Sequence, residues 1–161
     1  MILEYLKTPL NKYTFSIKPI RNWVETNAKG RVLNLFAGKT KLNLNEFRVD
    51  IDETMNADTF MNAYDFVKQC QEKFDTIILD PPYAFRKSME MYNGHKASKF
   101  NMVKDLLSNI LNDDGIIITF GYHSVSMGKK RGFEQTKVLL MSHGGAIHDT
   151  IAVIERKNKG I

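Results

Sequence analysis

The sequence predicts a single α/β domain built on a mostly parallel sheet, and three observations lead to that fold class. Short apolar runs alternate along the chain with segments of helical periodicity, which is the element order of a βαβ protein. The runs at 31–36 and 74–80 lack sustained polar alternation, as is typical of strands buried on both faces. Two apolar strands near the end are separated by Gly144 and Gly145, which indicates an antiparallel hairpin.

Bulk composition narrows the protein class. The chain has 161 residues, of which 43% are hydrophobic and 25% charged, so one ordinary globular core is expected. No segment approaches the roughly 18 apolar residues that a bilayer-spanning helix needs, and no signal-peptide cleavage site follows the first residues. The single cysteine, Cys70, cannot form an internal disulfide, which fits a cytoplasmic location.

The elements follow from local signals in chain order. Residues 1–18 show no regular period and are expected to be irregular. Pro19 suits the first turn of a helix, which Gly30 ends. Apolar residues at helical spacing predict the later helices, and Asp-Asp-Gly predicts a turn. The predicted elements are a helix at 19–28, strands at 31–36 and 47–51, a helix at 59–73, a strand at 74–80, a loop at 84–97, a helix at 98–112, a turn at 113–115, a strand at 116–121 and a hairpin of strands at 135–142 and 146–156.

Two short connections predict that the sheet is trimmed at one edge. Only residues 37–46 separate the first two strands, whereas a parallel crossover normally needs a dozen or more residues, usually including a helix. The crossover helix is therefore expected to be stunted or absent. Residues 52–58 are fewer still, so a third parallel strand with its own crossover does not fit there.

The most informative segment is Asp80-Pro81-Pro82-Tyr83, directly after the apolar run at 76–79. Prolines fix φ and donate no backbone hydrogen bond, so the carbonyls of this stiff turn are free to accept from another group. An exocyclic amino group of adenine or cytosine could donate to the Asp80 carboxylate and to the Pro81 carbonyl, while Tyr83 stacks on the base. That pull favours a tetrahedral, nucleophilic nitrogen, which can take a methyl group in line from a sulfonium. The alternative reading is a rigid strand exit.

A second motif precedes it, at the end of the first predicted strand. Phe36-Ala37-Gly38 offers small residues where a ligand can approach the backbone closely, although a plain turn has the same composition. Asp50 ends the next strand and could accept hydrogen bonds from ribose hydroxyls, or serve as a turn carboxylate. Asp58 precedes a helix as a candidate N-cap, or contacts the adenine of the methyl donor. Both motifs lie at carboxyl ends of strands, where such sheets bind ligands.

With these motifs in this order, the chain resembles class I S-adenosylmethionine-dependent methyltransferases that make N6-methyladenine or N4-methylcytosine. The resemblance implies a Rossmann-like fold, S-adenosylmethionine as cofactor, and nucleic acid as substrate, with adenine N6 in DNA favoured. It also implies that residues 1–30 pack on the donor site, and that the last two predicted strands correspond to the terminal antiparallel hairpin of the family. The catalytic residues implied are Asp80, Pro81, Pro82 and Tyr83, and the cofactor-binding residues implied are Phe15, Ser16, Lys18, Asn34, Phe36, Ala37, Gly38, Asp50, Asp58 and Asp80.

The distribution of basic residues indicates where a nucleic-acid substrate would bind. The net charge of +5 favours a polyanionic partner, although lysines and arginines also simply solvate surfaces. The loop after Tyr83 interleaves cations with aromatics, which suits phosphates and bases, and a second basic cluster follows the strand that ends at Phe120. No histidine spacing argues for a metal site. The predicted substrate-binding residues are Tyr83, Arg86, Lys87, Tyr92, His123, Lys129 and Lys130.

The sequence leaves three functional readings open. A DNA amino-methyltransferase comes first, and an RNA base methyltransferase acting on adenine N6 or guanine N2 shares the same turn motif. The third is a catalytically idle nucleic-acid-binding subunit, because Asn34 stands where the family has an acid. The chain has no room for a separate target-recognition domain, so target choice is expected to come from loops, a second copy or a partner subunit.

Overall fold

An eight-stranded sheet forms the centre of the protein in its computed structural model, which describes residues 1–92, 94–145 and 148–159. A separate two-stranded hairpin and four α-helices complete the described part. The strands are β1 (Ile2–Lys7), β2 (Val32–Asn34), β3 (Glu46–Asp50), β4 (Thr59–Phe60), β5 (Phe74–Leu79), β6 (Met89–Tyr92), β7 (His95–Ser98), β8 (Leu111–Gly121), β9 (Phe133–Ser142) and β10 (Thr150–Lys157). The helices are α1 (Lys18–Asn27), α2 (Ala63–Gln69), α3 (Tyr83–Lys87) and α4 (Lys99–Leu106), and short 3-10 turns lie at Thr14–Ser16, Leu107–Ile110 and Lys129–Arg131.

The strand order of the large sheet is β1-β9-β10-β8-β5-β2-β3-β4. Strand β5 pairs in parallel with both β2 and β8, whereas β10 runs antiparallel to both β8 and β9. The predicted fold class, a mostly parallel sheet with a terminal antiparallel hairpin, is therefore confirmed. Strand order reverses between β2 and β5, and ligands of such sheets bind beyond the strand ends at that point.

The trimmed edge is present, with one correction. Residues 35–45, all of which are described, connect β2 to β3 without a helix, as the short connection predicted. The expectation that no third parallel strand would fit was wrong, because β4 pairs in parallel with β3. A strand of two residues needs no helical crossover. The predicted helix at 59–73 shortens accordingly to α2, and Asn62 rather than Asp58 is its N-cap.

Three further predictions differ from the structure. Residues 1–18 were expected to be irregular but contain β1, which pairs in parallel with β9, about 135 positions later in the chain. The predicted loop at 84–97 contains most of α3 and the β6–β7 hairpin, whose tip has Gly94 at φ +80°. The predicted turn at 113–115 lies within β8, next to a register shift in the pairing with β5. Residues 146 and 147 of the last predicted strand lie outside the described residues.

Each face of the sheet has its own apolar core. One face packs against α2 and α4, and the other packs against α1 and the 3-10 turn at Thr14–Ser16. In the second core, Phe15 meets Phe120 edge to face, with ring centroids 5.4 Å apart. This contact places the N-terminal segment against the carboxyl end of β8. Among the described residues, no helix has the length and apolar character that a membrane crossing requires.

Lys104 of α4 carries a half-buried ammonium, whose bond to the Ser126 carbonyl over 3.2 Å and position 4.4 Å from the Phe100 ring centroid offset its desolvation only in part. Burial, together with the nearby charge of Arg131, lowers the pKa of Lys104 to about 8. Between that value and its ordinary pKa of 10.5, the unfolded chain holds a proton that the folded chain has released, so this group adds stability as pH rises through the window. Below pH 8, the folded state carries a partly desolvated ammonium.

We therefore expect Lys104→Met to raise the melting temperature at pH 7. Because Lys104 is only part-buried, solvent screening reduces the gain to about 1 kcal/mol, or roughly 2–4 °C. Thermal unfolding followed by circular dichroism at pH 7 and pH 10 measures the effect, and the difference should shrink at pH 10. The exposed Lys73→Met is the control. An equal gain at both pH values would show that packing, and not the charge, is responsible.

Candidate functional site

A cavity of about 630 Å³ opens at the carboxyl ends of β2, β3, β5 and β8. It joins the two motifs that the sequence singled out, because Ala37 and Gly38 line one side and the Asp80–Tyr83 turn lines the other. The remaining lining residues are Leu10, Asn11, Lys12, Tyr13, Thr14, Phe15, Leu35, Phe36, Lys39, Thr40, Asp50, Ile51, Asp52, Met55, Met61, Asn62, Ala63, Phe85, Arg86, Phe120, Gly121, Tyr122 and Thr150.

The loop after β2 is held by hydrogen bonds to its main chain. The amide of Ala37 donates to the carbonyl of Val49 over 2.9 Å, and the amide of Gly38 donates to the Asp50 carboxylate over 2.9 Å. Gly38 has φ +67°, a conformation that glycine adopts without strain. The backbone of this loop therefore has a defined shape on the wall of the cavity, where a ligand can approach it.

Asp50 lies at the end of β3 with room for a ligand. One carboxylate oxygen accepts the Gly38 amide, and the other accepts the amide of Asp52 over 2.9 Å. A carboxylate offers about four lone-pair sites, so further donors such as hydroxyl groups can still bind to it. The side chain lines the cavity next to the Gly38 loop.

Asp80 is a half-buried acid on the wall of the cavity. Burial raises the pKa of Asp80 above its ordinary value, while a hydrogen bond with the Thr14 side chain and the charge of Arg86 oppose that rise. Thr14 also lines the cavity, so the N-terminal segment contacts the acid directly. A carboxylate in such surroundings is a stronger hydrogen-bond acceptor and a stronger base than an exposed aspartate.

Arg86 packs between the acid and the end of β8. It lies one turn after Tyr83 on α3, and its guanidinium donates to the carbonyl of Phe120. Burial lowers the pKa of Arg86, while the Asp80 charge opposes that change. Gly121 makes this place possible, because a Cβ there would lie 2.5 Å from the arginine Nη1. The guanidinium also lies 5.8 Å from the ring centroid of Tyr122.

The turn that follows Asp80 is ordered by α3. The carbonyl of Pro82 accepts the amide of Phe85 over 3.0 Å, which starts the helix. No hydrogen bond to the Pro81 carbonyl is found within the described residues, so that oxygen is free to accept from a ligand. Tyr83 is 59% exposed at the cavity mouth, with the Lys87 ammonium 4.7 Å from its ring centroid.

Several residues predicted for the cofactor lie outside the cavity lining. Asn34 is fully buried, and its side-chain oxygen accepts the Phe36 amide over 3.4 Å. Asp58 accepts the amide of Arg48 over 2.9 Å and so supports the β3–β4 connection. Ser16 donates to the carbonyl of Tyr13 over 2.6 Å, and Lys18 begins α1 on the surface.

The predicted substrate residues are divided in the same way. Tyr83 and Arg86 line the cavity, whereas Lys87, His123, Lys129 and Lys130 are exposed beyond its lining. Tyr92 ends β6, and its side chain lies outside the described part of the protein.

The structure adds residues that the sequence analysis did not single out. Lys12 and Lys39 lie 5.6 and 4.6 Å from the ring centroid of Tyr13, and all three line the cavity. The position of Lys39 directly after Gly38 is the sequence feature that could have identified it as a cavity residue. Tyr122, 54% exposed at the end of β8, is a second aromatic side chain at the cavity. Among the described residues, no group of three or more His, Cys, Asp or Glu side chains could hold a metal ion.

Comparison with known proteins identifies the fold. No protein-family model and no curated protein matches the sequence, but solved structures do. N-methyltransferase NodS from Bradyrhizobium japonicum has a TM-score of 0.61 at 12% identity, covering 93% of this chain and 100% of that one. The yhhF protein of Escherichia coli has a TM-score of 0.59 at 16% identity, covering 88% and 84%.

A third neighbour contains a bound nucleoside. Trm5 from Methanocaldococcus jannaschii, in complex with adenosine, has a TM-score of 0.59 at 13% identity, covering 96% of this chain and 51% of that one. At these identities, the likeness establishes the architecture. The chain has the Rossmann-like fold of class I methyltransferases.

Proposed function

We propose that this protein uses S-adenosylmethionine to methylate an exocyclic amino group of a nucleic-acid base, with adenine N6 in DNA as the favoured target. The observation that carries the proposal is the shared cavity of the Gly38 loop and the Asp80–Tyr83 turn. These corners end β2 and β5, which pair directly in parallel. Neighbouring strands lie about 4.8 Å apart, so a donor on one corner and an acceptor on the other would be in reach of each other.

The donor half of the cavity suits S-adenosylmethionine. Its ribose hydroxyls would donate to Asp50, and the Gly38 loop offers a close backbone surface to the rest of the nucleoside. The volume of about 630 Å³ falls within the roughly 300–1,000 Å³ of small-molecule sites. The adenosine in the Trm5 structure is the nucleoside part of this cofactor. When bound, S-adenosylmethionine supplies an electrophilic methyl group on a sulfonium.

The acceptor half suits a planar base with an amino group. The two amino hydrogens would be accepted by Asp80 and by the Pro81 carbonyl, and Tyr83 would stack on the base. These residues orient the nitrogen lone pair toward the donor and stabilise the positive charge that develops on the nitrogen. After transfer, the nitrogen loses one proton, and the raised pKa of Asp80 makes this carboxylate a suitable acceptor.

The base must leave its stack to reach this cavity, so the substrate would be a flipped or single-stranded nucleotide. Exposed cations near the cavity mouth, Lys87 on α3 and Lys12 and Lys39 on the opposite side, would neutralise phosphates. A second copy or a partner subunit would add target selectivity.

The test is nucleoside mass spectrometry. Duplex DNA, single-stranded DNA and total RNA are each incubated with the purified protein and S-adenosylmethionine carrying a deuterated methyl group. Labelled N6-methyladenine in DNA is the expected product. Label confined to RNA, as N6-methyladenine or N2-methylguanine, would replace the DNA assignment with the RNA one. Absence of label in every nucleic acid, together with no calorimetric binding of S-adenosylmethionine, would favour the idle subunit.

A further inference from the structure

The loop that would bind the methyl donor rests on a buried arginine. Arg48, in the middle of β3, is 2% exposed and does not line the cavity. Its Nη2 donates to the carbonyl of Ala37 over 2.9 Å and to the carbonyl of Gly38 over 3.0 Å. Its Nε donates to the carbonyl of Asn56 over 2.7 Å. One guanidinium therefore joins the Gly38 loop to the connection between β3 and β4.

Three alternate residues of β3 hold the Gly38 loop, either by bonding it directly or by pairing with the arginine that does. Glu46, Arg48 and Asp50 lie two apart, so their side chains share one face of the strand. The Glu46 carboxylate, fully buried, pairs with the Arg48 guanidinium. Burial raises the pKa of Glu46, and the arginine opposes that rise. Asp50 binds the Gly38 amide from the same face.

The main chain of Ala37 and Gly38 is thus fully bonded from outside the loop. Both amides are accepted by β3, through the carbonyl of Val49 and the carboxylate of Asp50. Both carbonyls accept from Arg48, and the Gly38 carbonyl also accepts the amide of Asn56 over 3.2 Å. A loop that continues into a helix has its polar groups bonded by that helix. Residues 35–45 form no helix, so the polar groups of Ala37 and Gly38 take their partners from β3 and from the connection that follows it, and Arg48 is the side-chain donor to both carbonyls.

We propose that Arg48 is a positioning residue for the methyl donor, which takes the place of the missing crossover helix by holding the Gly38 loop in its binding shape. This inference rests on the proposed function, because it assigns the loop to S-adenosylmethionine. Arg48 acts through Ala37 and Gly38 and has no contact of its own with the cavity. Its loss should weaken donor binding and leave the nucleic-acid side unchanged.

The principal test is the double variant Glu46→Met/Arg48→Met. Removing both charges avoids leaving a buried carboxylate unpaired, and apolar replacement of a buried ion pair is often neutral for stability. We expect the variant to bind S-adenosylmethionine at least tenfold more weakly by calorimetry. Its affinity for a single-stranded oligonucleotide should equal that of the wild type. Deuterium uptake in the peptide spanning residues 35–45, without any ligand, should become faster.

The matched control removes an ion pair of the same chemistry elsewhere. Glu134→Met/Arg156→Met breaks an exposed pair, 2.8 Å apart, that joins β9 to β10 away from the cavity. It should leave both the donor affinity and the uptake of 35–45 unchanged. Arg48→Lys is the second variant if the double variant does not fold. A lysine keeps the charge beside Glu46 but lacks the planar guanidinium that bonds the carbonyls of Ala37, Gly38 and Asn56 at once, so donor binding should still weaken.

The outcomes separate this inference from the proposed function. A folded variant with wild-type donor affinity and wild-type uptake would overturn the role of Arg48. A wild-type protein that binds no S-adenosylmethionine would remove the donor from the site, and the exchange data would then show whether Arg48 still orders the loop. A wild-type protein that binds the donor but methylates no nucleic acid would contradict the proposed function, while Arg48 would remain a positioning residue for the donor.

Discussion

Asp80→Asn should lower the methyl-transfer rate by about 10²–10³-fold or more while the affinity for S-adenosylmethionine stays near that of the wild type. The asparagine is nearly the same size, but it lacks the negative charge that would accept the amino hydrogen and later the proton. Single-turnover transfer from tritiated donor measures the rate, and calorimetry measures the affinity. Because Asp80 lines the acceptor side of the cavity, its loss should affect the chemical step above all.

The control for this variant is Asp113→Asn, whose carboxylate is 93% exposed near the start of β8, at the other end of the sheet. It should transfer methyl groups at the wild-type rate. Undiminished turnover by Asp80→Asn would remove Asp80 from the mechanism. An equal loss in both variants would point to a charge effect on nucleic-acid binding instead.

The pH dependence of the wild type follows from the same group. In the proposed reaction the carboxylate form of Asp80 accepts the amino hydrogen and later the proton, so the rate should fall as pH drops through its pKa. Burial raises that pKa above the ordinary 3.8, and the loss should therefore begin at a higher pH than for an exposed aspartate. A profile of single-turnover rate against pH, with thermal unfolding measured at each pH, separates this titration from acid unfolding. A rate that stays constant down to pH 4 would contradict the assignment.

Asp50→Ala should weaken S-adenosylmethionine binding by about 100-fold, which corresponds to nearly 3 kcal/mol. The variant removes the carboxylate proposed to accept the ribose hydroxyls and also frees the Gly38 amide that this carboxylate binds. Calorimetric titration gives the dissociation constant. Nucleic-acid affinity, measured by fluorescence anisotropy of a labelled oligonucleotide, should not change, since Asp50 lies on the opposite side of the cavity from Tyr83.

Asp52→Ala provides the matched control for Asp50. Asp52 also lines the cavity, but its carboxylate accepts from the amide and hydroxyl of Thr54 and makes no bond to the Gly38 loop. Its removal should change the donor affinity less than threefold. If both variants bound the donor equally weakly, the cavity would respond to net charge and the ribose assignment would be wrong.

Local patterns were sufficient for the central part of the fold. Buried apolar residues at 32–33, 77–79 and 117–118 mark β2, β5 and the second half of β8, and Pro81 follows soon after the end of β5. The short connection between β2 and β3 excluded a full crossover helix, because chain length limits geometry directly. Placement of both motifs at carboxyl ends of strands then predicted one shared cavity, and the two motifs do line a single one.

Edge elements could not be predicted in this way. Strand β1 is exposed on one side and depends on pairing with β9, which is distant in sequence, so residues 1–18 lack a local signature. The β6–β7 hairpin stands apart from the main sheet, and its polar sequence resembles a loop. In both cases, the stabilising contacts come from register and pairing, which local composition does not reveal.

Local patterns predicted the central strands in their order along the chain, the position of the two motifs at strand ends and the residue types near the cavity. The order of those strands in the sheet, and which polar side chains are available to a ligand rather than bonded to the backbone, depend on the folded arrangement. Asp50 and Asp58 were both candidate contacts of the methyl donor, yet Asp50 lines the cavity and Asp58 accepts the amide of Arg48. Arg48 was not singled out from the sequence, because its partners are main-chain carbonyls at 37, 38 and 56. The reason is physical: a side chain's partner depends on which buried donors and acceptors the packed backbone leaves unsatisfied, and these exist only once the chain has folded.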